Sequence, residues 1–356
     1  VYAKEIIIHL DKKGSVKSLN GSFIPTPEEV NTDPVLNPKK IIKKLPEIFE
    51  KNLKELKDHN DSIEPTLVIY QKDNQNFLAW HLTIYSSELD RWELFIDDTS
   101  GEILDNINST CYALDHVKKN ESLKSSDKIK SIKESEEDFN AVVGTGTDLN
   151  GVERELNTTF ESNYYYLYDT SKPSYNSSTG EGVLITYKSN YSEETSYIGS
   201  DSDNTWTDAS LVSAHYNASE SYDYFYETFD RNSIDGSGGT VRSFENVKNS
   251  DGTEMNNAYW NGKGIYYGNG EDMFTPLAGA LDVAAHEWSH GVVEWTSGFV
   301  YQDESGALNE SFADIFGVMV DRDDWAIGED IVNSNYYPNG FLRSMKEPEK
   351  GDQPSH

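Results

Sequence analysis

Five residues, His286-Glu287-Trp288-Ser289-His290, constrain this chain more than any other run in it. On a helix, residues four apart share a face, so both imidazoles reach one metal ion. With about 3.6 residues per turn, Glu287 lies about 100° round from His286. That is near enough to touch a metal-bound water without ligating the metal. Zinc-hydrolase chemistry needs a third protein ligand and a fourth position left open. Glu310 is the candidate, within Asn309-Glu310-Ser311-Phe312-Ala313-Asp314. Asp314 is one turn further on and faces the same way. It is placed to accept the other ring N–H of a ligand histidine. A five-residue match of this kind also arises by chance. Three features raise it here: the amphipathic helix around it, the turn at Thr296-Ser297-Gly298, and a second helix with two carboxylates one turn apart. Charged groups on an apolar helical face need partners, and metal ligation provides them.

Apolar spacing predicts the two helices over 278–296 and 305–322. Residues 141–270 are rich in Tyr, Ser, Asn, Gly and Thr, with short β-prone runs such as 182–187. They read as a twisted, mostly antiparallel sheet. A helix over 211–229 interrupts it, with Ala214, Ala218, Tyr222, Phe225 and Phe229 on one side. Near the start, residues 4–24 read as a hairpin turning at 11–14, and 38–57 as one helix with Ile41, Ile42, Leu45, Ile48, Phe49, Leu53 and Leu56 on its apolar side and lysines on the other. Segments 67–70, 77–85, 91–97 and 101–104 read as an antiparallel meander. Residues 117–138 are poor in large apolar groups and rich in Lys, Ser and Glu, a solvated linker and a good target for proteolysis. The class is α+β, and about 150 residues per domain allows two or three domains.

The chain of 356 residues carries 30 Lys+Arg against 62 Asp+Glu, a formal net charge of −32. Nineteen of the basic residues fall in 1–140, so most of the negative charge lies beyond. Nucleic acid and anionic membrane surfaces repel such a chain, and neither is expected as a partner. Hydrophobic residues make up 36% and aromatics 12%, which excludes disorder throughout. No run of about 18 apolar residues offers a membrane-spanning helix. Cys111 is the one cysteine, so no intramolecular disulfide forms. It sits in a loop-like stretch, 106–115, and reads as a surface or packing residue. No signal-peptide pattern is present and the chain begins at Val1, which reads as a fragment or a processed form.

The wider pattern resembles the thermolysin family of secreted zinc endopeptidases. The residues that carry this are His286-Glu287-x-x-His290, then Gly298-x-x-Tyr301-Gln302-x-Glu304-Ser305-Gly306-Ala307-x-Asn309-Glu310-x-x-x-Asp314. Asn256-Asn257-Ala258-Tyr259-Trp260-Asn261-Gly262 is similar to that family's substrate-binding strand. Asn157-Thr158-Thr159-Phe160 and Tyr164-Tyr165-Tyr166-Leu167 resemble the start of its mature enzyme. Earlier, Trp92-Glu93-Leu94-Phe95-Ile96-Asp97 resembles its propeptide. The resemblance implies a partial propeptide domain over 1–116, antiparallel sheet plus helix. A linker with the processing site follows at 117–138. A thermolysin-like catalytic subdomain, twisted antiparallel sheet then zinc-binding helices, fills 139–356. The family's C-terminal helical domain is expected to be absent, since the chain stops at His356.

The roles that the resemblance implies go residue by residue. His286, His290 and Glu310 hold one zinc ion, Glu287 is the general base, and Asp314 and Asn309 orient the histidines. Tyr301 helps stabilise the oxyanion. Asn257, Ala258 and Trp260 bind the peptide backbone, and Arg343 clamps a substrate carbonyl. Phe274, Leu277, Val283, Ile327 and Leu342 line the pocket after the scissile bond, which implies cleavage before large apolar residues; ordinary core packing is the alternative for each. Asp282, Asp321, Asp324 and Glu329 match a structural calcium site, and Asp201 and Asp203 a further one. Ala326 replaces an acidic residue of the family, and Gly340 stands where another calcium site has an aspartate. The implied protein is a secreted, extracellular protease precursor that acts on polypeptides, with its own propeptide as intramolecular inhibitor and chaperone. The alternative is a non-catalytic zinc-binding fragment with half a cleft.

Overall fold

A computed structural model of the chain describes residues 6–10, 15–21, 27, 30–60, 62–87, 90–112, 140–191, 196–249, 251–351 and 353. The chain divides into two compact units: residues 1–109 with 299–302, and residues 110–298 with 303–356. The linker expected at 117–138 lies outside the described residues.

In the first unit, β1 (Ile6–Leu10) and β2 (Val16–Gly21) pair antiparallel; the turn expected at 11–14 lies outside the described residues. The single helix expected over 38–57 is three short ones, α1 (Pro38–Ile42), α2 (Leu45–Ile48) and α3 (Leu53–Asp58). Pro46 has no N–H to donate and suits only a first turn, so α2 restarts there. Asn52 then opens α3 with a reciprocal cap to Glu55. The meander follows as β3 (Thr66–Lys72), β4 (Gln75–Tyr85), β5 (Arg91–Asp97) and β6 (Ile103–Asn108), an antiparallel sheet in sequence order. Alternation puts Trp80, Leu82, Ile84, Leu94 and Ile96 on one face, where Ile41, Leu45 and Leu56 complete a core.

The second unit begins with β7 (Cys111–Tyr112), β8 (Asn140–Thr147), β9 (Glu153–Glu161), β10 (Tyr164–Tyr166) and β11 (Tyr168–Asp169). Then come β12 (Leu184–Tyr191), β13 (Tyr197–Ile198), β14 (Ser200–Asp201), β15 (Thr205–Trp206) and α4 (Ala209–Phe229). After β16 (Val241–Val247), β17 (Ala258–Trp260) and β18 (Ile265–Gly268), the chain turns helical in α5 (Leu281–Glu294) and α6 (Asp303–Asp321). A short pair, β19 (Ala326–Ile327) and β20 (Arg343–Ser344), follows. Among the described residues, one sheet runs β14-β10-β9-β8-β15 and the other β11-β12-β16-β18-β17-β7 with β13 beside β12.

The class is α+β, and the second sheet is mostly antiparallel by pairing, with two parallel pairings inside it. β16 runs parallel to both β12 and β18. The helix α4 lies between β12 and β16 in sequence, and such a crossover returns the chain in the same direction. Cys111 is also not in a loop: it is buried in β7, paired with Trp260 of β17. On α4, Ala214, Ala218, Tyr222 and Phe225 enter the core, while Phe229, expected beside them, is 52% exposed.

The core lies between this sheet and the helices. Tyr222 and Phe225 of α4, Trp288 of α5, and Ile265 and Tyr267 of β18 belong to it. The helix α5 is buried all round from Asp282 to Val293. Such a helix has no solvent face, so its polar side chains must be there for something other than solubility. Against it lies α6, which buries Gly306, Asn309, Ala313, Asp314 and Gly317 and exposes Leu308, Phe312 and Ile315. Gly317 permits the close approach: a Cβ there would meet the Asp282 carbonyl oxygen at 2.8 Å. Gly298, at φ +56°, ends α5 by donating to the Val293 carbonyl.

Candidate active site

The spacing of α5 does what its periodicity requires. His286 and His290 present their Nε2 atoms to one another at 2.9 Å, and both side chains are fully buried. From α6, Glu310 places Oε2 3.4 Å from His286 Nε2 and Oε1 3.4 Å from His290 Nε2. Ligand atoms of the three residues all lie within 4.8 Å of one another.

Each ring is held from behind. The His290 Nδ1–H donates to Asn309 Oδ1 at 2.8 Å. The His286 Nδ1 stands 2.8 Å from Asp314 Oδ1, out of line for a straight hydrogen bond. Asp314 is gripped by Arg343, whose Nε and Nη2 each donate to it at 2.8 Å. These contacts aim both Nε2 atoms at the space between the rings.

The electrostatics fit a cation there. Burial pulls the His286 imidazole down, but Asp314 and Glu310 outweigh it and raise it to about 10. Burial takes His290 the other way, to about 4, with Glu310 opposing. Two ring nitrogens at this distance cannot both carry a proton, and one proton serves only one of them. A cation between them serves both, and Glu310 as well. Burial tends to raise Glu310, yet His290 and His286 bring it down to about 2, so it stands ionised. Two imidazoles and one carboxylate are a zinc donor set.

Glu287 differs from its neighbours. It is fully buried and neither carboxylate oxygen has a hydrogen-bond partner. Burial raises it to about 8, with His286 lowering and Glu310 raising it further. A cation beside it favours the ionised form, which is the form a base needs.

Two family models match this chain: thermolysin metallopeptidase, catalytic domain, over 143–294, and thermolysin metallopeptidase, alpha-helical domain, over 297–356. The neutral protease NprE of Bacillus pumilus is 42% identical over 222 residues, covering 61% of this chain and 69% of that protein. The chain belongs to the thermolysin metallopeptidase family. This family is zinc-dependent. Bacillolysin of Brevibacillus brevis is 36% identical over 362 residues, all of this chain and 61% of that protein. An extracellular elastase of Staphylococcus epidermidis is 31% identical over 360 residues, 99% of this chain and 64% of that protein. The chain thus spans under two thirds of the length of these two relatives.

The second match corrects the expectation that the thermolysin family's helical domain is absent. Its boundary falls at the Gly-marked turn after α5, not beyond His356, so α6 with Glu310 and Asp314 lies on the helical-domain side.

The remaining expected residues are placed as follows. Phe274, Leu277, Val283, Ile327 and Leu342 share the main apolar core. Asn257 is buried just before β17, which contains Ala258 and Trp260; the Trp260 Nε1–H donates to Glu294 at 2.8 Å. Tyr301 falls in 299–302, which group with the first unit.

The acidic residues form a second cluster at the start of α5. Asp282 accepts from the Val283 and Gly328 amides, and burial and then Glu329 hold its carboxyl well above the usual range. Burial and then Asp323 push Asp321 up to about 6; burial and its acidic neighbours push Glu329 to about 7. Ligand atoms group as Asp282, Asp321 and Glu329, and as Asp323, Asp324 and Glu329. Asp323 was missed, although the run Asp321-Arg322-Asp323-Asp324 offered it. Asp201 and Asp203 join no such group among the described residues. Backbone amides satisfy them instead: Asp203 N donates to Asp201, and Thr205 N to Asp203.

Proposed function

We propose that this chain is part of the precursor of a secreted zinc-dependent endopeptidase. The observation that carries the reading is the pairing of two converged imidazoles and a carboxylate with a buried, unpartnered Glu287. His286, His290 and Glu310 would hold the zinc, with Asn309 and Asp314 fixing the rings. When bound, the zinc polarises a carbonyl and lowers the pKa of a water molecule. Glu287 takes a proton from the attacking water as its oxygen bonds to the carbonyl carbon. It returns that proton to the amine as the C–N bond breaks. Tyr301 is assigned to the oxyanion, and Asn257, Ala258 and Trp260 to the peptide backbone. Arg343 acts on Asp314 and, by resemblance, on a substrate carbonyl. By resemblance, the five apolar residues are assigned to the pocket after the scissile bond, with a preference for large apolar side chains there.

Calcium is assigned to the cluster of Asp282, Asp321, Asp324 and Glu329, joined by Asp323. Carboxylates raised by burial and then by one another, with Glu329 Oε2 buried and unpartnered, suit a hard cation with oxygen ligands. Residues 1–116 are assigned to the propeptide, 117–138 to the processed linker and 139–356 to the enzyme. One contact supports self-inhibition: β7 pairs antiparallel with β17, the strand that a substrate backbone is expected to pair with. Secretion is supported by the extracellular relative, and no helix of the described residues is long and apolar enough to cross a membrane.

Hydrolysis of a furylacryloyl peptide by the processed, zinc-loaded protein tests the reading. Glu287→Gln is the control. Turnover equal in both forms would refute the assigned base, and turnover in neither would favour the non-catalytic fragment.

A further inference from the structure

Lys188 of β12 stands in parallel register beside Glu245 of β16. Its ammonium nevertheless bonds to Asp208. Asp208 is the residue that opens α4, and its side chain accepts from the Leu211 amide. Glu245 is only 3% exposed, and its Oε2 has no hydrogen-bond partner. Two carboxylates, one of them buried, therefore share a single lysine. The other groups facing them are the Ser210 hydroxyl, bonded to Glu245, and Tyr197 of β13, beside Lys188.

We infer that Lys188, Asp208 and Glu245 form a pH-sensitive clasp at the start of α4. With Glu245 protonated, Lys188 is committed to Asp208 and the first turn of α4 is firmly held. With Glu245 ionised, a second carboxylate competes for the same ammonium, and the clasp loosens. The consequence reaches the metal-binding helix, because α4 packs on α5 through Tyr222 and Trp288, ring centroids 6.3 Å apart.

The electrostatics give the direction. Burial, and then Asp208, push Glu245 up to about 7 from an ordinary 4.5, with Lys188 opposing. The folded chain thus holds this proton where the unfolded chain has released it. Its contribution is fully present below the ordinary glutamate value and is lost as pH rises to about 7.

Thermal unfolding of the full chain between pH 5 and 9 tests this, with zinc and calcium saturating and Glu287→Gln present to prevent self-cleavage. The Glu245→Gln variant is compared with its parent at each pH, so that titration elsewhere cancels. Its advantage should grow between pH 5 and 8 to roughly a hundredfold in the unfolding equilibrium constant. Lys188→Met should cost more at pH 8 than at pH 5. A Glu245→Gln effect that is the same at every pH would overturn the clasp. So would a Lys188→Met cost that is no greater at pH 8.

Discussion

Glu287 is buried without a hydrogen-bond partner for either oxygen, and no packing role requires a carboxylate there. Replacing it with glutamine removes a charge that the folded chain accommodates poorly. Glu287→Gln should therefore lower kcat by about 10²–10⁴ while zinc content is retained and the melting temperature holds or rises. Peptide assay, metal analysis and calorimetry on one preparation check the three together. Asp314 does the opposite work, holding His286 and in turn held by Arg343. Asp314→Asn should weaken zinc affinity by about 10–100-fold, read by competition with a chelating dye. The convergence of His286 and His290, with Glu287 beside them, was legible because four-residue spacing on a helix is fixed geometry. The Arg343–Asp314 bond was not, because its partners are 29 residues apart and only the closure of β19 on β20 brings them together.

At the scale of elements, the cluster joining the start of α5, the end of α6 and the loop after it should depend on a cation. Asp282, Asp321 and Glu329 all have folded values above their ordinary ones. Without a cation they destabilise the fold as pH rises. The loss begins near the ordinary carboxylate range and is complete for Asp321 and Glu329 by about pH 7. In calcium-free buffer with zinc present, melting temperature should fall from pH 4.5 to 7.5, and calcium should restore most of it at the upper end. An equal melting temperature with and without calcium at pH 7.5 would count against the site. The helices α4, α5 and α6 were readable from apolar spacing, because each buries a stripe or its whole surface. The first region misled because its apolar spacing continues past Pro46, where the backbone cannot. The parallel strands were hidden for a different reason: direction belongs to the crossover through α4, not to the composition of either strand.

For the whole molecule, the proposed division into leader and enzyme rests on the uneven charge and the resemblance, but composition alone could not place Cys111 and Tyr112. They lie on the edge of the second unit's sheet, in register with Trp260 and Tyr259. Two residues carry too little pattern to be read as a strand, and only the open edge of β17 makes them one. If β7 blocks that edge, loosening it should release activity before any processing. In an antiparallel ladder, successive N–H groups point alternately toward the partner strand and away from it. Proline removes the N–H, and it disturbs the ladder only where that group faces inward. Cys111→Pro and Tyr112→Pro should therefore differ. One should raise the unprocessed chain's hydrolysis of a short peptide severalfold, and the other should leave it near the parent's rate. Measuring both in the zinc-loaded, uncleaved protein separates a blocking strand from general loosening, which would raise both alike. If neither variant raises the rate, β7 is not what keeps the edge closed.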